Sequence, residues 1–307
     1  MAKGKYTWFN GDVIETDQIR ISPYTHALHY GTGIFEGIRV YKQHNGGGAV
    51  FRLKEHVERF FHSAKIIGFT IPYSHEQLFE ACVDIVRKNK FEECYIRPLA
   101  YITDGPLGLS MGENPPIDVL ILVWEWGRYL GDDGVNKGVR LKTSSYIRPH
   151  VNSVMTKGKI TGQYVTSVIA KYEANKLGFH EALFLDPEGF LAEGTGENLF
   201  MAKKGVIKTT PLTSVLEGIT RESIIEHLRQ QGHSVLEQRF TRDELLCADE
   251  VFLCGTAAEI TPVREIDFRS IGEGKPGPIA SKLLKDYQAI VRGDTPSYGK
   301  NWLTPIK

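Results

Sequence analysis

Two stretches within the first 90 residues carry apolar side chains at helical spacing, and strand-length apolar runs flank both. Val57, Phe60, Phe61, Ala64 and Ile67 recur at three- and four-residue steps, with Gly68 as a natural stop. Leu78, Phe79, Cys82, Ile85 and Val86 repeat the pattern. Ahead of them, Asn45 and the triplet Gly46-Gly47-Gly48 read as a hairpin turn joining strands over 37–42 and 49–52. Strands follow over 93–103 and 118–124. A chain that alternates the two periods in this way predicts an α+β unit over 1–125.

Single hydrophobic cores stop growing near ~250–300 residues, so a 307-residue chain predicts two domains. The stretch 126–137 is rich in Gly and Asp and reads as the connecting loop. A connector has little use for Trp126, Tyr129 and Leu130, so these aromatic and apolar groups are expected to line a cleft. Residues 138–307 then form a second domain. Helices are expected over 163–177, with Val165, Val168, Ile169 and Tyr172 on one face, and over 220–231, with Thr220 as N-cap. Strands are expected near 181–186, 190–193, 198–203 and 206–210, and an apolar helix near 279–291.

Charge narrows the partners. Lys+Arg and Asp+Glu each number 37, which argues against a nucleic-acid or anionic-membrane surface. No run of about 18 apolar residues is present, and the first lysines are not followed by an apolar core, so neither a membrane span nor a secretory signal is expected. Four cysteines are too few for a disulfide scaffold and read as reduced thiols of a cytoplasmic protein. His26 and His29 have no acidic or thiol partner at metal spacing and read as hydrogen-bonding residues; no metal site is expected.

Several short runs bear on chemistry, each with a bland reading beside the functional one. Gly218 precedes a helix start, and Gly255-Thr256-Ala257-Ala258 follows an apolar strand; both present donors suited to an anion, although helix starts are common. Gly31, Gly33 and Gly37 half-match a dinucleotide fingerprint, but a strand follows where a helix should, so they read as turn glycines. Lys157 and Lys159 precede a helix, where a cationic lysine opposes the dipole and a neutral or imine-bound amine does not. Solvated loop lysines are the alternative. Glu193 and Glu197 stand among small residues, as a partner for a pyridinium nitrogen or as turn carboxylates. Tyr95 and Arg97 share one face of a strand, suited to a carboxylate, while Pro98 confines that strand to an edge or an irregularity of the ladder.

Taken together and in order, these runs resemble the fold-type IV pyridoxal-phosphate enzymes, and within them the branched-chain amino-acid aminotransferases. The resemblance spans the chain: 26–39, Tyr95-Ile96-Arg97-Pro98, 126–131, Lys159 to Tyr164, Glu193 through Phe200, Gly218-Ile219-Thr220-Arg221, and Gly255 through Pro262. It implies a smaller N-terminal α/β sandwich, a larger C-terminal pseudo-barrel, pyridoxal 5'-phosphate as cofactor and a homodimer or higher homo-oligomer. Lys159 would be the Schiff-base lysine and proton shuttle; a tyrosine five residues on, with Gly162 two before it, selects Lys159 over Lys157. Tyr164 would meet the cofactor's phenolate oxygen and Glu193 its ring nitrogen. Arg59, Gly218, Ile219, Thr220 and Thr256 would hold its phosphate. Phe35, Gly37, Tyr95, Trp126 and Tyr129 would form the apolar substrate wall, with Tyr30 and Leu109 arriving from a partner subunit. Ala257 and Ala258 would bind the α-carboxylate and Arg97 the distal carboxylate of glutamate.

The implied reaction is reversible amino transfer between leucine, isoleucine or valine and 2-oxoglutarate. Gln163 stands where many relatives have Asn, and the Cys-x-x-Cys of some vertebrate members is absent. Other readings are a D-amino-acid or (R)-amine transaminase or a lyase of the same fold type, a nicotinamide-dependent oxidoreductase, and a non-catalytic binding protein.

Overall fold

The hairpin glycines and the two amphipathic helices fix one half of the structure. The computed structural model describes residues 1–105, 107–127, 129–295 and 302–306. Two units emerge, one holding Met1–Trp126, Gly158–Gln163 and the chain from Ala289 onward, the other Gly127–Lys157 and Tyr164–Gln288. The sequence boundaries put 158–163 and the C-terminal tail in the second domain. They belong to the first because Ile160 bridges to Ile34 and the last strand pairs with Gly48–Phe51.

In the first unit the elements are β1 (Tyr6–Phe9), β2 (Asp12–Glu15), α1 (His26–Tyr30), β3 (Gly33–Phe35), β4 (Ile38–Lys42), β5 (Gly48–Phe51), α2 (Leu53–Ile67), α3 (His75–Asn89), β6 (Cys94–Ile102) and β7 (Ile117–Trp124). The late strand Leu303–Ile306 adds to β5, giving an antiparallel sheet in which β6 lies centrally, flanked by β7 on one side and by β3 and β4 on the other. Leu53, Val57, Phe60 and Ala64 of α2 and Leu78, Cys82, Ile85 and Val86 of α3 pack on Ile38, Val40, Cys94, Ile96, Ala100 and Ile102. The even-numbered residues of β6 therefore enter this core, and Tyr95 and Arg97 face the other way. Gly68 ends α2 at φ 96°, where a side chain would be strained. Ser74 and Gln77 form a reciprocal capping box on α3.

Pro98 does not make β6 an edge strand. Its missing N–H falls where the partner of β6 changes from β4 to β3, so it marks an irregularity of the ladder; its carbonyl still accepts from the Glu36 N–H.

The second unit contains α4 (Gly131–Lys137), β8 (Val139–Thr143), α5 (Tyr164–Lys176), β9 (Glu181–Leu185), β10 (Leu191–Gly194), β11 (Asn198–Lys203), β12 (Val206–Thr209), α6 (Ile219–Gln230), β13 (Ser234–Glu237), α7 (Arg242–Leu246), β14 (Glu250–Gly255), β15 (Glu259–Ile266), β16 (Arg269–Ser270) and α8 (Pro278–Val291); the Leu303–Ile306 strand is β17. Its strands run in the order β10-β9-β8-β15-β14-β11-β12-β13, and β10 also pairs with β11. That extra pairing closes β8, β9, β10, β11, β14 and β15 into a ring, the pseudo-barrel of an α+β fold. Leu183, Leu191, Leu199, Val251 and Leu253 fill one face of the ring, while Ala182, Phe184 and Ala192 pack outward on Ala170 and Ala174 of α5.

Three local expectations change. Part of the expected connector is helical, as α4. The N-cap of α6 falls two residues earlier than expected: it is Gly218, without a side-chain cap bond, and Thr220 lies inside the helix. Helix α5 turns its small residues to the barrel and leaves Val165, Val168 and Tyr172 more than 60% exposed.

Candidate functional site

Lys159 lies in the short segment that returns to the first unit, and its backbone is tied at both polar atoms. Its N–H donates to Ser63 Oγ of α2 (2.9 Å), and its carbonyl accepts from the Phe35 N–H (3.0 Å). The half-buried side chain brings Nζ to 5.0 Å from the centre of the Phe35 ring. Lys157, by contrast, is exposed and pairs with Glu217. Glycine spacing has a steric cause here: a Cβ on Gly31 would come within 2.6 Å of Gly162 Cα.

Arg59 is one α-helical turn before Ser63. Its Nε and Nη2 grip Glu36 at 2.7 and 2.9 Å, and His56 Nδ1 meets the same carboxylate at 2.8 Å. Glu36 is fully buried; the guanidinium and the imidazole hold its carboxyl well below the ordinary carboxylate range against the cost of burial. Burial pushes His56 down, so the ring is neutral and its Nδ1–H donates to Glu36.

Arg97 is enclosed by aromatic faces. Its guanidinium carbon lies 4.7 Å from the Phe35 ring centre, 5.4 Å from Tyr95 and 5.5 Å from Trp124, and its buried Nε has no hydrogen-bond partner among the described residues. Trp126 meets Tyr95 edge-on at 4.6 Å, and its carbonyl accepts from Arg39. A Cβ at Gly37 would lie 1.8 Å from the Tyr95 hydroxyl, so any side chain there would displace the Tyr95 ring. Tyr30 is exposed and its ring lies tilted against His26, with centroids 4.5 Å apart; the His26 ring also bonds Thr32 and the Gly108 carbonyl, and Leu109 is 89% exposed.

In the second unit Glu193 sits at the strand pair that closes the barrel, opposite Asn198. Arg148 Nη2 lies 2.8 Å from Glu193 Oε1, and Asn198 Nδ2 donates to Oε2 (3.1 Å). Asn198 crowds Gly218 so closely that a Cβ there would fall 1.9 Å from its side-chain oxygen, so α6 starts from a residue that brings no capping side chain. That positive helix end, at Ile219 and Thr220, suits an anion. Thr256, Ala257 and Ala258 follow β14; Thr261 Oγ1 bonds the Ala258 carbonyl, and the Tyr129 N–H donates to the Ala257 carbonyl (3.3 Å). Tyr164 opens α5 and is half-buried. Arg128, in the 126–131 run, lies outside the described residues.

Glu36, His56, Ser63 and Arg148 escaped the sequence reading. His56, Arg59 and Ser63 fall at helical spacing on α2, a polar stripe that could have been read; Arg148 stands in an irregular segment with no pattern to expose it.

The first unit offers an amine with a fixed backbone and an arginine in an aromatic cage; the second offers a buried carboxylate with a cationic partner and a glycine-led helix start. Comparison with known proteins gives these groups a context. The family model for amino-transferase class IV matches residues 33–266. A branched-chain-amino-acid aminotransferase of Pseudomonas aeruginosa is 43% identical over 98% of this chain and 97% of its own. Crystal structures of the T.th. branched-chain amino acid aminotransferase, with pyridoxamine 5'-phosphate and with N-(5'-phosphopyridoxyl)-L-glutamate, match all of both chains at 47% identity with TM-scores of 0.96 and 0.95. The chain belongs to the class IV aminotransferase family.

Proposed function

We propose that the protein is a branched-chain amino-acid aminotransferase that uses pyridoxal 5'-phosphate to move an amino group between L-leucine, L-isoleucine or L-valine and 2-oxoglutarate. The residues present fit this cofactor by the chemistry of their donors. Thr220, Thr256, Arg59 and the start of α6 suit its phosphate, Glu193 suits a protonated ring nitrogen, Tyr164 a phenolate oxygen, and the Lys159 amine its attachment. When bound, the cofactor supplies an electron sink for the substrate Cα.

Lys159 attaches the cofactor and then moves the proton at the substrate Cα. Glu193 keeps the ring nitrogen protonated, and Arg148 and Asn198 hold its two carboxylate oxygens in place. The Ala257 and Ala258 N–H groups hold the α-carboxylate. Phe35, Tyr95, Trp126 and Tyr129 exclude water from an aliphatic side chain, and Gly37 leaves the room that the Tyr95 hydroxyl takes.

The observation that carries the substrate class is the caged arginine. A guanidinium inside an aromatic wall accepts leucine by its wall and glutamate by its charge. Arg97→Ala is expected to lower kcat/KM for glutamate and 2-oxoglutarate on the order of 10–100-fold more than for leucine. Equal losses would make Arg97 structural. The D-amino-acid reading is disfavoured by the Tyr95-Ile96-Arg97-Pro98 and Gly255-Thr256-Ala257-Ala258 runs and by the names of the relatives. Steady-state rates test the whole reading: L-leucine with 2-oxoglutarate should give parallel double-reciprocal lines, and turnover of D-alanine instead would reject it.

A homodimer or larger homo-oligomer is the assembly supported by α5. Val165, Val168, Ile169 and Tyr172 form a contiguous exposed apolar helix face, the kind of surface a partner subunit covers. Val168→Glu is expected to shift the protein toward monomer in sedimentation velocity; an unchanged profile would place the interface elsewhere. No helix among the described residues is long and apolar enough to cross a membrane. Buried unpaired thiols at Cys82, Cys94 and Cys254 support a cytoplasmic location.

A further inference from the structure

We propose that Glu36 is a positioning residue for cofactor-phosphate recognition: it clamps the Arg59 guanidinium in place, with His56 bonded to the same carboxylate. The inference rests on the reading of Arg59 as a phosphate ligand.

Three features carry it. The Arg59–Glu36 contact is two-pronged, through Nε to Oε1 (2.7 Å) and Nη2 to Oε2 (2.9 Å), which fixes the plane of the guanidinium as well as its position. Glu36 cannot drift, because Oε2 also accepts from the His56 ring (2.8 Å) and the Gly37 N–H (3.1 Å), and no part of the residue reaches solvent. The same stretch of α2 also anchors the lysine. Ser63 Oγ donates to the Arg59 carbonyl (2.9 Å) and accepts from the Lys159 N–H (2.9 Å). One helix face thus sets the Arg59 head group through Glu36 and the Lys159 backbone through Ser63, in a common frame.

An unclamped arginine at the end of a flexible stem would satisfy charge alone. Burying an extra carboxylate against it reduces the local net charge, which is unfavourable for holding an anion. The arrangement is useful if orientation matters more than charge. This opposition gives the test its sign. Removing the Glu36 charge raises the positive potential at Arg59 but frees the guanidinium to turn. Glu36→Asp keeps the charge and withdraws the carboxylate by one methylene.

The experiment titrates the full chain, stripped of cofactor, with pyridoxal 5'-phosphate and in parallel with pyridoxal, which lacks the phosphate. Binding is read by quenching of tryptophan fluorescence. Glu36→Asp and Glu36→Gln are each expected to weaken binding of the phosphate ester about 10-fold or more while leaving pyridoxal unchanged. Equal weakening of both ligands would reduce Glu36 to a structural role. Unchanged or tighter binding of the ester would show that charge outweighs orientation, and either result overturns the clamp. Arg59→Ala separates the two levels of the argument. Loss of phosphate preference in Arg59→Ala but not in the Glu36 variants defeats the clamp alone. Retention of preference in Arg59→Ala defeats the reading of Arg59 and the clamp with it. Should the Glu36 variants fail to fold, His56→Gln loosens the same carboxylate and reads the same preference.

Discussion

Lys159→Ala is expected to abolish transamination, by roughly ten-thousandfold or more, in a protein that still folds. Folding survives because the anchors at this position belong to the backbone: the N–H bond to Ser63 and the carbonyl bond from Phe35 do not need the side chain. The half-buried amine leaves a space at the Phe35 ring, at modest cost. Activity is lost because no other lysine of the segment can replace it. Lys157 is exposed and paired with Glu217, so Lys157→Ala should leave turnover near wild type. Rates and melting temperatures of the two variants decide the assignment. An active Lys159→Ala enzyme beside an inactive Lys157→Ala enzyme would reverse it.

The second large effect is on stability, and it is set by pH. Three buried carboxyl groups lie near one another behind the barrel closure. Glu181 is held by Lys171 (2.5 Å) and Thr195 (2.7 Å), and Glu193 by Arg148. Glu197 accepts from the Gly196 N–H (3.1 Å), and its Oε1 is buried without a partner among the described residues. Burial and the neighbouring Glu181 carboxylate push its carboxyl from 4.5 up to about 8, although Lys171 and the Gly196 N–H pull it down and Glu193 adds a small push. The native state therefore binds a proton that the unfolded chain releases above 4.5. Stability contributed by that proton is fully present below pH 4.5 and is lost as pH rises through about 8, on the order of a few kcal/mol. Glu197→Gln carries no such charge and should lack this slope. Its stability advantage over wild type, from urea unfolding at pH values of about 5, 6.5 and 8, should grow steadily. A constant difference across that range would mean that Glu197 ionises normally in the fold.

Glu36 and His56 act on the acid side. Both are held below their ordinary values, so the stability they contribute is lost as pH falls, below 6.5 for His56 and below 4.5 for Glu36. The two slopes oppose that of Glu197 and bound the pH range of greatest stability.

Much of the fold was legible because periodicity and glycines acted together. The α2 pattern ending at Gly68 and the hairpin at Gly46-Gly47-Gly48 needed no tertiary information. Two features did need it. Helix α5 has valines and a tyrosine exposed and alanines buried, the reverse of an ordinary amphipathic helix, so its pattern gives its length without its inner face. Pro98 in an interior strand is explained only by a change of partner strand. At the candidate site, sequence motifs marked Lys159, Arg97 and Glu193 but not their supports. Arg148 and Asn198 on Glu193, and Glu36 and His56 on Arg59, are recruited through contacts as far as 45 residues apart in sequence, as in the Arg148–Glu193 pair. The motif names the candidate group, and only the folded chain shows what orients it.

The central claim is that this chain performs the amino-transfer half-reaction on branched-chain L-amino acids at Lys159. The most direct measurement follows the absorption of protein-bound pyridoxal phosphate after adding L-leucine to one sample and D-alanine to another, with no 2-oxo acid present. The account predicts that the band of the lysine-bound cofactor is lost with L-leucine and persists with D-alanine, and that Lys159→Ala never forms it. A band that responds to D-alanine alone, or a wild-type protein that forms none, would contradict the account.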